Sequence, residues 1–262
     1  MSTNMNDSVM ESQNTKTGLA GSTLKIIAII TMFIDHIGAA IFENTEIMNY
    51  LVYSGNVSKS FYIHWTLADN ILRLIGRVAF PIFCFLLVEG FLHTRDVKKY
   101  ALRLGAFCLI SEIPFNLAFF GQPFYDGHQN VFFTLLIGLL VLIGLKHFAG
   151  TDLKSGLGRA ACVLAGVFAA TILKTDYEAF GVAIIIFFYL FHEKKILRDI
   201  TTMLSLVAST LVEITALFAL IPIHMYNGKR GISMKYFFYL FYPVHLLVLY
   251  GIGQLLLLTV FR

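Results

Sequence analysis

Charge is what this chain has least of. Asp, Glu, Lys and Arg make up 14% of its 262 residues, against 57% apolar and 15% aromatic residues. A soluble domain could not cover that much apolar surface with so few charges, so a soluble fold is excluded and the bilayer is the solvent for most of the chain. Cysteine is also sparse. Cys84, Cys108 and Cys162 lie inside apolar runs, and without paired spacing they exclude a disulfide framework or zinc site and read as small buried hydrophobes. The eight His form no HExxH or other dense ligand pattern, so no metal is expected. The net charge of +4 belongs mainly to loops, where Lys and Arg orient helices, and it gives no reason to expect nucleic acid as a partner.

What the chain does have is apolar length, with a mean hydropathy of +0.74. Windows able to cross a core of roughly 30 Å fall at about 25–43, 71–92, 100–120, 131–147, 158–174, 179–192, 200–222 and 236–260. The expected fold is an all-α polytopic transmembrane helix bundle of about eight spans, with seven or nine left open by the short pair around residues 175–178. That pair reads either as a tight helical hairpin or as one interrupted unit. Residues 1–24, rich in Ser, Thr, Asn and Gly, read as a polar tail without enough apolar surface to fold, and 25–262 as one membrane domain. A signal peptide is not expected, since about two dozen polar residues precede the first apolar stretch. Residues 44–70 are the one sizeable loop, carrying at most a short interfacial helix.

Basic residues alternate between loops. Arg95, Lys98, Lys99 and Arg103 form one group, the 146–159 loop holds three more, and Lys194, Lys195 and Arg198 another, whereas 121–130 holds none. Basic loops stay inside, which puts the N-terminus on the cytoplasmic face of the cell membrane and, with eight spans, the C-terminus too. One loop disobeys: Asn227, Lys229, Arg230 and Lys235 then face outside.

The first span carries Lys25, Asp35 and His36, although an ionisable group at membrane depth costs roughly 2.5 to 3.5 kcal/mol on insertion. Eleven steps at about 1.5 Å put His36 roughly 16 Å beyond Lys25, so Lys25 reaches the interface while His36 lies near mid-depth. His takes and returns a proton near neutral pH. Asp35 points about 100° away from it, so the two can instead be a polar pair bonding neighbouring helices. Pro81 inside the second span is expected to free the carbonyl near position 77 and bend the axis, and that span ends at Glu89; Arg77 can pair with Asp35 or hold an anion. In the third span Arg103 lies near the start, and Glu112 and Asn116 share a face around Pro114.

Asp176 and Tyr177 interrupt the two short apolar segments, and Asn227, Lys229 and Arg230 form a glycine-bounded turn that either meets phosphate or is an ordinary interfacial loop. Tyr239, Tyr242 and His245 recur at three-residue spacing, as an aromatic belt or as a second polar wall with His245 an auxiliary proton carrier. As a set these groups suggest one central site.

Asp35-His36-Ile-Gly, Gly76-Arg77-Val-Ala-Phe-Pro-Ile-Phe, Ser111-Glu112-Ile-Pro-Phe-Asn116, Asp176-Tyr177 and Tyr226-Asn227-Gly-Lys-Arg-Gly231 through Tyr242-Pro-Val-His245, in collinear order over about 22–260, resemble the TraX family. Its namesake is associated with N-terminal acetylation of conjugative pilin. The Lys25 to His36 spacing is also similar to the basic residue, ten residues and His of the acyltransferase 3 class. The resemblance implies an integral-membrane O- or N-acetyltransferase that takes acetyl-CoA from the cytoplasm and an envelope, glycan or peptide acceptor from the membrane or outside. His36 would then be the base, Asp35 and Glu112 would orient it or bind acceptor, and Lys25, Arg77, Lys229 and Arg230 would hold phosphate or oxyanion charge. Glu89, Arg103, Asn116, Asp176, Tyr177, Asn227, Tyr242 and His245 would line the substrate cavity. The alternatives are a proton-coupled transporter, which the same polar residues along a bundle interior would describe, and a scaffold in which they bond helices.

Overall fold

The computed structural model describes residues 17–54, 57–209, 211–233 and 235–260. Most of the polar tail expected over 1–24 lies outside them. The described residues form an all-α bundle of eleven α-helices: α1 (Gly21–Ile37), α2 (Thr45–Tyr53), α3 (Lys59–Gly76), α4 (Ala79–His93), α5 (Val97–Phe120), α6 (Val131–His147), α7 (Leu153–Ile172), α8 (Glu178–Leu190), α9 (Lys195–Ser209), α10 (Leu220–His224) and α11 (Lys235–Thr259). Five stretches are long and apolar enough to cross a bilayer: Gly21–Phe42, Lys59–His93, Val97–Phe120, Leu153–Ile172 and Tyr236–Thr259. Val131–His147, Glu178–Leu190 and Glu213–His224 are shorter apolar helices. The chain is a multi-pass membrane protein.

Two expectations change. Residues 59–70, read as loop, are helical and lead into the second span; Ser58 caps α3, its hydroxyl accepting from the Phe61 amide at 3.2 Å. The charges of α3 hid its helical period, since Lys59, Asp69 and Arg73 dilute the apolar run. Pro81 does not bend a helix from within. It sits in the first turn of α4, where a missing N–H costs nothing, and the chain breaks at Arg77–Val78 instead. The short pair is a hairpin, α7 packed on α8, whose turn sets Lys174, Tyr177 and Glu178 at φ 50°, 62° and 40°.

The seventh apolar window doubles back on itself. Its two limbs meet at one end, where His224 Nε2 lies 2.6 Å from Asp199 Oδ2, and between them a 3-10 segment, Leu211–Ala219, carries Glu213 inward to Arg77 at 3.1 Å. The stretch therefore enters and leaves by the end of the bundle at which α1 begins. At that same end, His192 after α8 reaches Glu89 near the close of α4 at 2.6 Å, and Lys146 near the close of α6 lies over the Phe91 ring at 5.5 Å.

Residues 225–232 belong there too. Leu19 N–H donates to the Met225 carbonyl at 2.7 Å, Gly21 N–H to Lys229 at 2.8 Å and Ser22 N–H to Arg230 at 3.0 Å. The loop that disobeyed the charge pattern thus lies beside the start of α1, with all the other basic loops. Passages α1, α3–α4, α5, α6, α7, α8 and α11 run between the two ends of the bundle, seven among the described residues and within the seven to nine spans expected, and α11 ends opposite to where α1 starts. Among the described residues, Lys59 and Lys174 are the only Lys or Arg in the far-end connections.

Candidate functional site

The polar residues that the sequence groups into one site separate into two clusters, with His36 between them. The first surrounds a cavity of about 430 Å³ at the end where α1 begins. Lys25, Glu89, Arg103, Arg230 and Tyr242 line it, with Met32 of α1, Tyr226 and Tyr239. Its cations have no acid partner: among the described residues no carboxylate approaches Lys25, Arg103 or Arg230 to ion-pair distance, whereas Lys25 Nζ lies 5.3 Å from the centre of the Phe238 ring and Arg103 5.9 Å from that of Tyr100. Uncompensated positive charge over an apolar floor suits a ligand with an anionic head and a less polar body.

Glu89, only 8% exposed, is the one acid lining that cavity among the described residues. It is already engaged by His192 and by Tyr226, whose phenol burial and the Glu89 carboxylate push up to about 12. Its role is to tie α4, the end of α8 and the 225–232 loop into one wall. Asn227 is also structural: its Oδ1 accepts from the Lys229 amide at 2.9 Å and its Nδ2 donates to the Gly18 carbonyl at 3.0 Å. Lys229 itself is exposed, and its neighbours Gly228 and Arg230 line the cavity in its place.

At the inner end of the cavity stand Met32 and Tyr242. His36 lies one turn beyond Met32, ringed by Tyr242 and Phe119 with ring centres 5.7 and 5.3 Å away. Its Nδ1 is 2.7 Å from Nε2 of His245. The two imidazoles are within 7° of parallel with centres 4.9 Å apart, which is the separation of two rings meeting edge to edge through one hydrogen bond. Nδ1 of His245 in turn meets the Phe241 carbonyl at 2.7 Å. Directly after His36 the helix widens into a π turn, Gly38–Phe42, a distortion that recurs at functional sites.

Asp35 faces away, bonded by Arg73 of α3. Arg73 also reaches Glu43 at 3.2 Å, and the Asp35 side chain packs against Gly76, where an added Cβ would collide with it. Arg77 does not line the cavity. Its guanidinium is taken by Glu213 and by the Tyr177 hydroxyl.

The second cluster continues from there towards the far end. Tyr177 stacks on Phe80, the Asp176 carbonyl accepts from Thr134, and the Asp176 carboxylate lies 3.8 Å from His128. That carboxylate raises the His128 imidazole above its ordinary pKa against the opposing effect of burial. Glu112 accepts from Asn130 at 2.5 Å and from Asn116 at 3.4 Å, which anchors the 121–130 connection to α5. The sequence reading missed Arg73, Glu43, Glu213, His128, Asn130 and His192. Arg73 and Glu43 fell in or beside a stretch read as loop, and Glu213 in one read as a plain crossing.

The chain matches the family model described as TraX protein over residues 20–253. It is 30% identical over 253 residues to the probable fimbrial assembly protein FimC, serogroup H1, of Dichelobacter nodosus, an alignment covering 86% of this chain and 92% of that one. No solved structure matches it.

Proposed function

The chain belongs to the TraX protein family, and from that premise we propose that it is a membrane acetyltransferase moving an acetyl group from acetyl-CoA to an envelope acceptor. The observation that carries this reading is the cavity that begins among Lys25, Arg103 and Arg230 and stops at Tyr242, against which His36 packs. The basic end of the bundle is the cytoplasmic one in this reading, by the positive-inside rule, and the donor enters there. The cations take its phosphates, the apolar walls take its arm, and the thioester lies towards His36. A name given to fimbrial assembly, carried by a relative of nearly full coverage, supports an acceptor of the pilin kind.

The reaction needs one proton moved twice. His36 Nε2 removes the proton of the acceptor hydroxyl or amine as its heteroatom bonds to the thioester carbonyl carbon; the C–S bond then breaks, and the departing thiolate takes that proton to become the CoA thiol. The base therefore returns to its starting form. A neighbouring cation steadies the oxyanion in between.

A proton-coupled transporter is the competing reading, because the second cluster lines the bundle interior with acids, His and Arg. Titrating acetyl-CoA into the purified full chain and into Lys25→Ala/Arg230→Ala separates the two. Saturable binding lost in the double variant, with thiol release in the unmodified protein, is expected; no binding alongside solute flux across vesicles would reject the acetyltransferase.

A further inference from the structure

We infer that His245 is a positioning residue which fixes the tautomer of His36 and so aims its lone pair at the acceptor. The inference deepens the acetyltransferase reading and rests on His36 being its base.

The chain of bonds leaves one consistent arrangement for two neutral rings. A backbone carbonyl only accepts, so the Phe241 oxygen at 2.7 Å requires the proton of His245 to sit on Nδ1. Its Nε2 is then an acceptor. The 2.7 Å contact to His36 Nδ1 therefore requires a proton on that nitrogen, and the Nε2 of His36 is left with a free lone pair and no protein partner among the described residues. A base must present a lone pair, and an imidazole turned over would present N–H instead.

The surroundings hold this geometry. His245 is 4% exposed and stacks on Phe241 with ring centres 4.7 Å apart, with Phe33 edge-on at 5.9 Å. Pro243 lies two residues before it, and the carbonyl that His245 uses is four residues back along the same helix. Once Nε2 of His36 has taken the acceptor proton, the Nδ1–H to His245 becomes a charge-assisted bond and spreads the positive charge over both rings. His245 touches neither donor nor acceptor in this scheme.

The test uses the full chain in liposomes, with acetyl-CoA and a native membrane extract supplying acceptor. His245→Phe keeps a ring in the aromatic packing and removes the acceptor nitrogen; His245→Gln offers an oxygen in its place. The expected result is a fall in kcat on the order of 100-fold for the Phe variant with KM for acetyl-CoA changed less than about twofold, and substantial recovery in the Gln variant. In resting, 15N-histidine-labelled protein, His36 should be Nδ1-protonated, and should change tautomer in the Phe variant. Unchanged kcat in the Phe variant, or an Nε2-protonated His36 in the unmodified protein, would overturn the inference. The NMR reading needs no turnover, so it decides the positioning role even where His36→Ala shows that His36 is not the base.

Discussion

Asp35 is bonded to Arg73 on the neighbouring helix α3, not to His36, the residue beside it. Adjacent residues of a helix point about 100° apart, and here that angle sends the carboxylate to α3 and the imidazole to α11. The acid therefore locks two helices, and His36 gets its partner from the last span. At 16% and 20% exposure the two side chains are buried enough for loss of one to strand the other. Arg73→Ala should destabilise the protein by about 3–5 kcal/mol, while the Asp35→Asn/Arg73→Gln pair should recover much of that. Denaturation of the detergent-purified variants reads this; additive losses would contradict the pairing.

Tyr242 separates the cavity from His36, so its size governs access. Tyr242→Ala should lengthen the cavity to the imidazole and let water reach the thioester, raising acceptor-independent hydrolysis of acetyl-CoA. Tyr242→Phe, which keeps the ring, should leave hydrolysis low. Comparing thiol release without acceptor distinguishes them; equal hydrolysis in both variants would remove Tyr242 from the path.

The placement of residues 225–232 beside the start of α1 gives a topology that labelling can read. In a background lacking the three native cysteines, a Cys at Gly228 should react with an impermeant reagent only from the side that labels a Cys at Arg95. A Cys at Gln122 should react only from the other side. Labelling of positions 228 and 122 from the same side would mean that the 195–224 stretch crosses after all.

His128 makes stability depend on pH. The Asp176 carboxylate raises its pKa above the ordinary 6.5, so its contribution is complete below that value and is lost as pH rises through the higher folded-state pKa. The melting temperature of the unmodified protein relative to His128→Gln should therefore fall as pH is raised from 6.5 upwards. A difference that grows with pH would be the wrong sign.

The apolar windows and the punctuating residues made the helices readable from sequence, and composition alone required the membrane. Charge made the errors. Lys59, Asp69 and Arg73 disguised a helix as a loop because their partners, Asp35 and Glu43, lie on other elements and cannot be seen in a local pattern. The hairpin of α9, the 3-10 segment and α10 reads as one continuous apolar window because hydropathy carries no direction; the Asp199–His224 contact, the reach of Glu213 to Arg77 and the bonds of residues 225–232 to the start of α1 reveal the return. The disobedient basic loop was the one sequence signal of that return. His36 and Lys25 were legible because ionisable groups in an apolar helix stand out, and His245 because it repeats at helical spacing. Their assignment to opposite sides of Tyr242 depended on packing between α1 and α11.

In the proposed reaction His36 is the base serving a thioester held in the cavity that opens among Lys25, Arg103 and Arg230. Its most direct measurement is acetyl transfer from labelled acetyl-CoA to native membrane extract by the reconstituted full chain and by His36→Ala, with folding of both checked by melting temperature. The expected result is a folded variant that still binds acetyl-CoA and has lost roughly 100-fold or more of the transfer rate. A folded His36→Ala protein that transfers acetyl at the unmodified rate would contradict it.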